Sequence, residues 1–168
     1  MELLKVVFII TKADVGGAQK YVSDLAAHLD KNKFETKILW GGRDLKWLSN
    51  KIYPYALFFN DWLAVYELVR AFRKERPDII HLNSSKAGGL GAIAAFVAKL
   101  LTLNFKLLTV FTVHGWGFNE DRPKSIKKII KFLSWFSSLF QDKIILIDKP
   151  DLRDAERMIP RRKLELIF

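Results

Sequence analysis

The sequence predicts an α/β fold: a Rossmann-like three-layer α/β/α sandwich on a mostly parallel sheet, built as a single domain over residues 1–168. Three observations lead there. Short runs rich in Val and Ile alternate with longer stretches whose apolar residues recur at helical spacing, the pattern of successive βαβ units with right-handed crossovers. Runs such as Leu3–Ile10 and Phe105–Thr112 are apolar at nearly every position, which suits strands covered on both faces rather than on one. Glycine-bearing loops follow these runs, at the strand ends where open α/β sheets bind ligands.

Leu3–Ile10 reads as the first strand and Thr11–Val15 as its loop. Gly16-Gly17-Ala18-Gln19 opens a helix to about Asp30, with Val22, Leu25, Ala26 and Leu29 on one side. Phe34–Trp40 is the second strand and Gly41-Gly42 its turn; Arg43–Tyr53 is a short helix and connection, and Pro54 leads into a short strand through Phe58. Asp61 caps a helix to about Glu75, which Arg76-Pro77-Asp78 breaks. Ile79–Leu82 is a short buried strand, followed by Asn83–Gly89 and an apolar helix to about Leu101. The strand through Thr112 and the loop His114–Phe118 come next, then a helix from Asp121–Pro123 to about Phe140. Gln141–Ile147 is a strand, Pro150–Met158 a charged helix, and Leu164–Phe168 a last strand.

Composition narrows the chemistry. Half of the 168 residues are apolar, enough for one packed core. The chain has no cysteine, which removes disulfides and thiolate chemistry and fits a reducing compartment. His28, His81 and His114 lie far apart in sequence, so no metal site is expected. A net charge of +10 favours an anionic partner, and the absence of a recognised nucleic-acid module argues against nucleic acid. Met1–Ile10 does not read as a secretory signal, and Ala87–Ala98 is too short and glycine-rich for a membrane span. A cytoplasmic protein, or one peripheral at the inner face of the cell membrane, is expected.

Three strand-end segments carry the candidate chemistry. Gly16 and Gly17 open a helix whose free N–H groups and positive end suit an anion, although the pair also serves as a plain tight turn. Asn83, Ser84, Ser85 and Lys86 place an amide, two hydroxyls and an ammonium at another helix start, where a serine cap with a solvated lysine is the alternative. In His114-Gly115-Trp116-Gly117-Phe118, glycines bracket an aromatic face, a way to let backbone approach a ligand beneath a ring; the alternative is that Trp116 and Phe118 cap the sheet and His114 hydrogen-bonds a neighbouring loop. The position of His114 at the strand end points its ring into the cleft. Gly89-Leu90-Gly91-Ala92-Ile93-Ala94 matches a dinucleotide fingerprint on paper, but it sits beyond the strand tip with no ribose-binding acid to follow, so those glycines read as close helix–sheet packing. Glu120 and Asp121 could act as acid or base, or mark a helix start. Finally, Lys124, Lys127, Lys128 and Lys131 share a helix with Trp135 and an apolar arc too wide for one buried stripe; the choice is between a surface that meets anionic lipid and core packing behind a lysine face.

The segments Ile10–Gln19, His81–Gly88 and Thr112–Trp116, in this order and spacing, resemble the amino-terminal domain of family-four (group 1) glycosyltransferases of the GT-B architecture. The resemblance spans the chain and implies one half of a GT-B fold, with a carboxyl-terminal donor-binding domain absent from this sequence. It implies sugar transfer from a nucleotide-sugar donor, usually with retention and without a metal or other cofactor, to a lipid-linked or saccharide acceptor in cell-surface polysaccharide or glycolipid synthesis. By the same resemblance this domain holds the acceptor, the glycine loop with Gly16 and Gly17 approaches the donor diphosphate, and His114 faces the reacting sugar. Asp148 departs from the small hydroxyl residue usual in the family after that strand and is given no role. A non-catalytic Rossmann-type nucleotide- or anion-binding module is the alternative; a dinucleotide oxidoreductase is disfavoured by the missing ribose acid.

Overall fold

The computed structural model describes residues 3–11, 16–42, 44 and 57–167. The expected loop at 12–15, most of the connection over Arg43–Tyr53, the strand start at Pro54 and the last residue, Phe168, lie outside the described residues. Strands are β1 (Leu4–Ile10), β2 (Phe34–Trp40), β3 (Ile79–Leu82), β4 (Leu108–Val113), β5 (Lys143–Leu146) and β6 (Leu164–Leu166). Helices are α1 (Gly17–His28), α2 (Leu57–Glu75), α3 (Ser85–Thr102), α4 (Lys124–Ser138) and α5 (Lys149–Glu156), with a 3₁₀ turn at Arg161–Lys163.

The six strands form one sheet in the order β2-β1-β3-β4-β5-β6, parallel throughout. Alternate side chains feed two cores. Val6, Phe8 and Ile10 pack with Val22 of α1 on one face. Val7, Ile9, Ile80, Leu82, Phe111, Ile144 and Leu146 pack against α2–α5 on the other. That two-sided burial is why the strand runs are apolar without alternation.

The extents of α2, β4 and α4 differ from those expected. Residues 57 and 58 are helical, so α2 starts earlier than expected and Asp61 lies inside it, where its carboxylate meets Lys86 at 2.9 Å instead of capping. The apolar run at 105–107 is not yet strand: Leu103 ends α3 in a left-handed conformation (φ 52°), and a turn closed by Lys106 N–H on Asn104 Oδ1 (3.2 Å) leaves Phe105 69% exposed. Helix α4 starts at Lys124 and ends at Ser138, shorter than expected at both ends.

Helix α3 lies flush on the sheet because its inner face is small: Ala87, Gly88, Gly91, Ala92, Ala94, Ala95 and Ala98 are buried. A β-carbon on Gly88 would stand 2.6 Å from the Phe111 ring, and one on Gly91 2.5 Å from Leu82 Cδ2. The expected role of the glycine run as close packing is therefore met at Gly91, whereas a β-carbon on Gly89 would meet nothing within 4 Å. Buried Gln141 fastens the assembly, donating from Nε2 to the Gly88 carbonyl at 3.0 Å.

Helix α4 is built the other way round. Two of its serines, Ser137 and Ser138, are buried and donate from their hydroxyls to the carbonyls of Ser134 and Trp135. Ile126, Ile129, Phe132, Leu133, Trp135 and Phe136 are exposed, and Ile130 is the helix's own apolar contact with the core. Lys163 closes its carboxyl end, donating to the carbonyls of Ser138 (2.8 Å) and Gln141 (2.7 Å).

The glycines of α3 give a paired test. Gly89→Ala should stabilise the fold by about 0.5–1 kcal/mol through helix propensity. Gly88→Ala gains the same propensity but must displace the Phe111 ring, for a net loss of about 1–2 kcal/mol. Urea unfolding of both variants reads the two signs; equal shifts would contradict this packing.

Candidate functional site

The carboxyl ends of β1, β3 and β4 come together. Thr11, buried at the end of β1, donates from its hydroxyl to Ser84 Oγ at 3.1 Å. Ser84 caps α3, accepting from Ala87 N–H at 3.2 Å. Asn83, fully buried at the end of β3, donates from Nδ2 to the His81 carbonyl at 2.9 Å, while its main-chain N–H bonds to Ile9 O. Its Oδ1 is buried with no hydrogen-bond partner within the described residues. A buried amide oxygen without a donor is costly, and a ligand hydroxyl or water would relieve it.

His114 leaves the end of β4 and packs edge-on against Tyr21 of α1, with ring centroids 5.1 Å apart. Instead of projecting openly into the cleft as expected, the ring is half-buried, and its Nε2 is buried without a partner among the described residues. Behind it, Tyr21 meets His81 at 6.4 Å and His81 meets Phe8 at 5.1 Å, so an aromatic column runs from the site into the core. His81 Nε2 is 2.7 Å from Thr112 Oγ1. Burial drives the His81 pKa from the usual 6.5 to about 4, helped by the neighbouring His114. Burial also lowers His114, so both rings are neutral at pH 7.

Gly115 has φ +117°, a conformation that favours glycine, and there the chain reverses. His114 goes to the α1 side, whereas Trp116 turns into the core on the other side. The sequence reading of Trp116 as an open aromatic face is corrected here: the indole is buried, stacks on Phe118 at 5.4 Å, meets Phe111 edge-on and donates from Nε1 to the Asp151 carbonyl at 3.0 Å. Phe111 and α5 leave a slot that a bicyclic ring fills, and filling it outweighs leaving the ring over the cleft. Gly117 lies close to α3; a β-carbon there would stand 4.0 Å from Ser85 Oγ.

At α1, Gly16 is the N-cap in extended conformation, and Gln19 folds back until its Oε1 would stand 2.7 Å from a β-carbon on Gly16. A β-carbon on Gly17 would meet nothing within 4 Å among the described residues. Ser85 is exposed, and Lys86 pairs with Asp61. Glu120 is held by Arg122 on the surface, and Asp121 is exposed beside it. The structure thus gathers Gly16, Gly17, Gln19, Asn83, Ser84, Ser85, His114 and Gly115 at the carboxyl ends of the inner strands β1, β3 and β4 and sends Trp116 inward. On α4, Lys124, Lys128 and Lys131 are exposed and Trp135 is 40% exposed, whereas Lys127 is half-buried. Sequence reasoning missed Tyr21, Asp148 as the cap of α5, and buried Asp151 at that helix's first turn. Tyr21 and Asp151 look like ordinary surface-helix residues in the linear pattern, whereas Asp148, two residues before Pro150, carries a helix-start signal that could have found it.

Among the described residues, no group of three or more His, Asp or Glu side chains could hold a metal ion. A groove of about 660 Å³ beside α2, lined by Tyr66, Arg70, Arg73 and Arg76 among others, includes none of the strand-end residues.

The sequence model described as Glycosyltransferase Family 4 matches residues 15–168. An Escherichia coli UDP-Gal:alpha-D-GlcNAc-diphosphoundecaprenol alpha-1,3-galactosyltransferase is 34% identical over 92 residues, 55% of this chain and 22% of the relative. The O-antigen biosynthesis glycosyltransferase WbnH of Escherichia coli is 27% identical over 170 residues, 95% of this chain and 46% of the relative. The chain therefore spans less than half the length of these curated relatives. In structure it is similar to sucrose-phosphate synthase from Thermosynechococcus elongatus, with TM-score 0.68 and 17% identity over 98% of this chain and 47% of that one; this likeness is one of fold alone.

Because the folded state keeps His81 neutral down to about pH 4, the unfolded chain takes up its proton first as pH falls. Stability should be complete above the usual histidine pKa of 6.5 and decline below it, by about 3 kcal/mol at pH 4. His81→Gln should flatten that part of a plot of urea midpoint against pH; an unchanged slope would contradict the assignment.

Proposed function

The chain belongs to glycosyltransferase family 4, as an amino-terminal domain of the GT-B architecture, and on that premise we propose that it is the acceptor-side domain of a nucleotide-sugar-dependent, retaining transferase. Its acceptor is a lipid-linked saccharide used in cell-surface polysaccharide synthesis, and the enzyme works at the inner face of the cell membrane. One observation carries this reading: two buried polar atoms, Asn83 Oδ1 and His114 Nε2, without hydrogen-bond partners among the described residues, stand at the carboxyl ends of adjacent parallel strands. A saccharide offers hydroxyls that can donate to one and pair with the other.

The chemistry follows from the groups present. Departure of a nucleoside diphosphate builds negative charge on phosphate oxygens, and the glycine-opened amino end of α1 offers N–H groups without a side chain in the way at Gly17. Positive character at the sugar carbon tolerates a neutral imidazole better than an imidazolium, and burial supplies the neutral form. Asn83 and the serine cap of α3 orient the acceptor, with Ser85 exposed on the same turn.

Helix α4 is the membrane contact. Its exposed Ile129, Phe132, Leu133 and Phe136 lie beside exposed Lys124, Lys128 and Lys131, and residues 124–138 contain no acidic side chain. The aromatic contacts continue through Phe140 to Phe96 of α3 (5.0 Å). Each lysine at an anionic surface is worth about 1 kcal/mol, so binding is reversible and sensitive to salt.

In the native enzyme that carries this domain, His114→Ala should lower kcat by roughly 10²-fold for transfer from a UDP-sugar to a diphosphate-linked saccharide. Normal turnover by a well-folded variant would refute the role. The 168-residue protein should cosediment with vesicles containing phosphatidylglycerol and not with neutral ones, and the double change Lys128→Glu, Lys131→Glu should release it. Equal binding to both vesicle types would contradict the contact.

A further inference from the structure

The aromatic contacts of α4 do not stop at that helix. Phe132 stacks on Phe136 with centroids 6.5 Å apart, Phe136 meets Phe140 at 5.3 Å, and Phe140 meets Phe96 of α3 at 5.0 Å. On α3 and its carboxyl cap, Phe96, Leu100 and Leu103 stand four and then three residues apart, the spacing that lines side chains along one helix face. Exposure grows along this stripe and reaches 76% at Leu103, and Phe105 in the turn beyond is exposed as well. An apolar ridge therefore runs from the middle of α4 to the α3–β4 turn, and its last members are its most exposed.

Leu103 also holds a backbone conformation that suits other residues better. It ends α3 with φ 52°, a left-handed cap that glycine or asparagine fills at less cost, and Asn104 follows it instead of occupying it. A large apolar side chain that is mostly in water, on a strained cap, adds little to the fold. The charge around the ridge is mainly of one sign. From Ile79 to Gln141 the chain carries eight basic residues and two acids, Glu120 and Asp121, of which Glu120 is held by Arg122. Asp142, the next acid along, is paired with Lys99 at 2.9 Å. Lys106, in the turn itself, is exposed. Apolar tips in basic surroundings suit an anionic lipid surface, where ammonium groups meet phosphate and the apolar side chains enter the acyl boundary.

We infer that the α3–β4 turn is a second bilayer contact, inserting Leu103 and Phe105, so that the whole ridge from α4 to the turn lies on the anionic membrane surface. This rests on the α4 contact proposed above and turns it into an orientation. Helices α3 and α4 each lead from the carboxyl end of one strand back to the amino end of the next, so the exposed side of the pair runs along the strands. A protein resting on that side holds its strands along the membrane plane. The carboxyl-end site then opens sideways, where a saccharide on a diphosphate can enter while its lipid tail stays in the bilayer.

The chain has no cysteine, so a single introduced thiol takes a fluorescent label at one place. In the 168-residue protein, nitrobenzoxadiazole attached through Leu103→Cys or Phe132→Cys should brighten and shift to the blue on vesicles of phosphatidylcholine and phosphatidylglycerol. The same label at Ser23→Cys, exposed on α1 across the sheet, should not respond. Leu103→Gly should weaken vesicle binding about 10-fold and leave the urea midpoint equal or higher, since glycine suits the cap. A response at Phe132 with none at Leu103 would overturn the inference and leave the α4 contact standing, and no response at either would remove both. A lower urea midpoint for Leu103→Gly would assign the leucine to the fold instead of the membrane. Concentration-dependent dimers abolished by Leu103→Gly, or a label at position 103 of the native enzyme already blue-shifted without lipid, would put a protein surface on the ridge and equally overturn the inference.

Discussion

The close approach of α3 to the sheet is the constraint on which the other elements depend. Its buried face is alanine and glycine, so the helix axis sits near β3 and β4, with Gly88 under Phe111 and Gly91 under Leu82. Protein interiors tolerate little excess volume, so one larger side chain there would lift the helix. Three things follow from the position of α3. Its amino end, capped by Ser84, meets Thr11 at the end of β1. Gly117 can lie beside Ser85. Phe111 is free to turn its other edge to Trp116. The candidate site is thus a product of packing far below it.

The second constraint is the reversal at Gly115. Strand β4 delivers His114 on the α1 side, and the positive φ of Gly115 then returns the chain toward α5. A single loop thereby contributes an imidazole to the site and an indole to the core. The aromatic column Phe8–His81–Tyr21–His114 supports the first, and the α5 anchors support the second. Both histidines stay neutral because both are desolvated, which makes the site a hydrogen-bonding surface more than a charged one.

Much of this was legible in the linear pattern. Unbroken apolar runs gave the parallel sheet, and the alternation of runs with helical periods gave the topology. Strand-end loops with Gly16, Asn83 and His114 mark the carboxyl ends of three inner strands. What failed to show had physical reasons. Trp116 beside two glycines looks solvent-facing, because sequence does not record the slot that Phe111 and α5 leave. Helix α4 has an apolar arc of core-like breadth, yet Ser137 and Ser138 are the buried residues and bond carbonyls three residues back, so composition alone could not decide which side was buried. Asp151 is one acid in a charged stretch, and only the tertiary fold makes it a buried one.

The carboxyl ends of β1, β3 and β4 are proposed to bind a saccharide carried on a diphosphate. The most direct measurement is a titration of the ¹⁵N-labelled 168-residue protein with a short-chain prenyl-diphosphate saccharide, followed residue by residue by NMR. The account predicts shifts concentrated at Gly16–Tyr21, Asn83–Lys86 and His114–Gly117, with the His114 Nε2 signal among the largest. Shifts gathered instead in the groove of Arg70, Arg73 and Arg76, or no shifts at millimolar ligand, would contradict it.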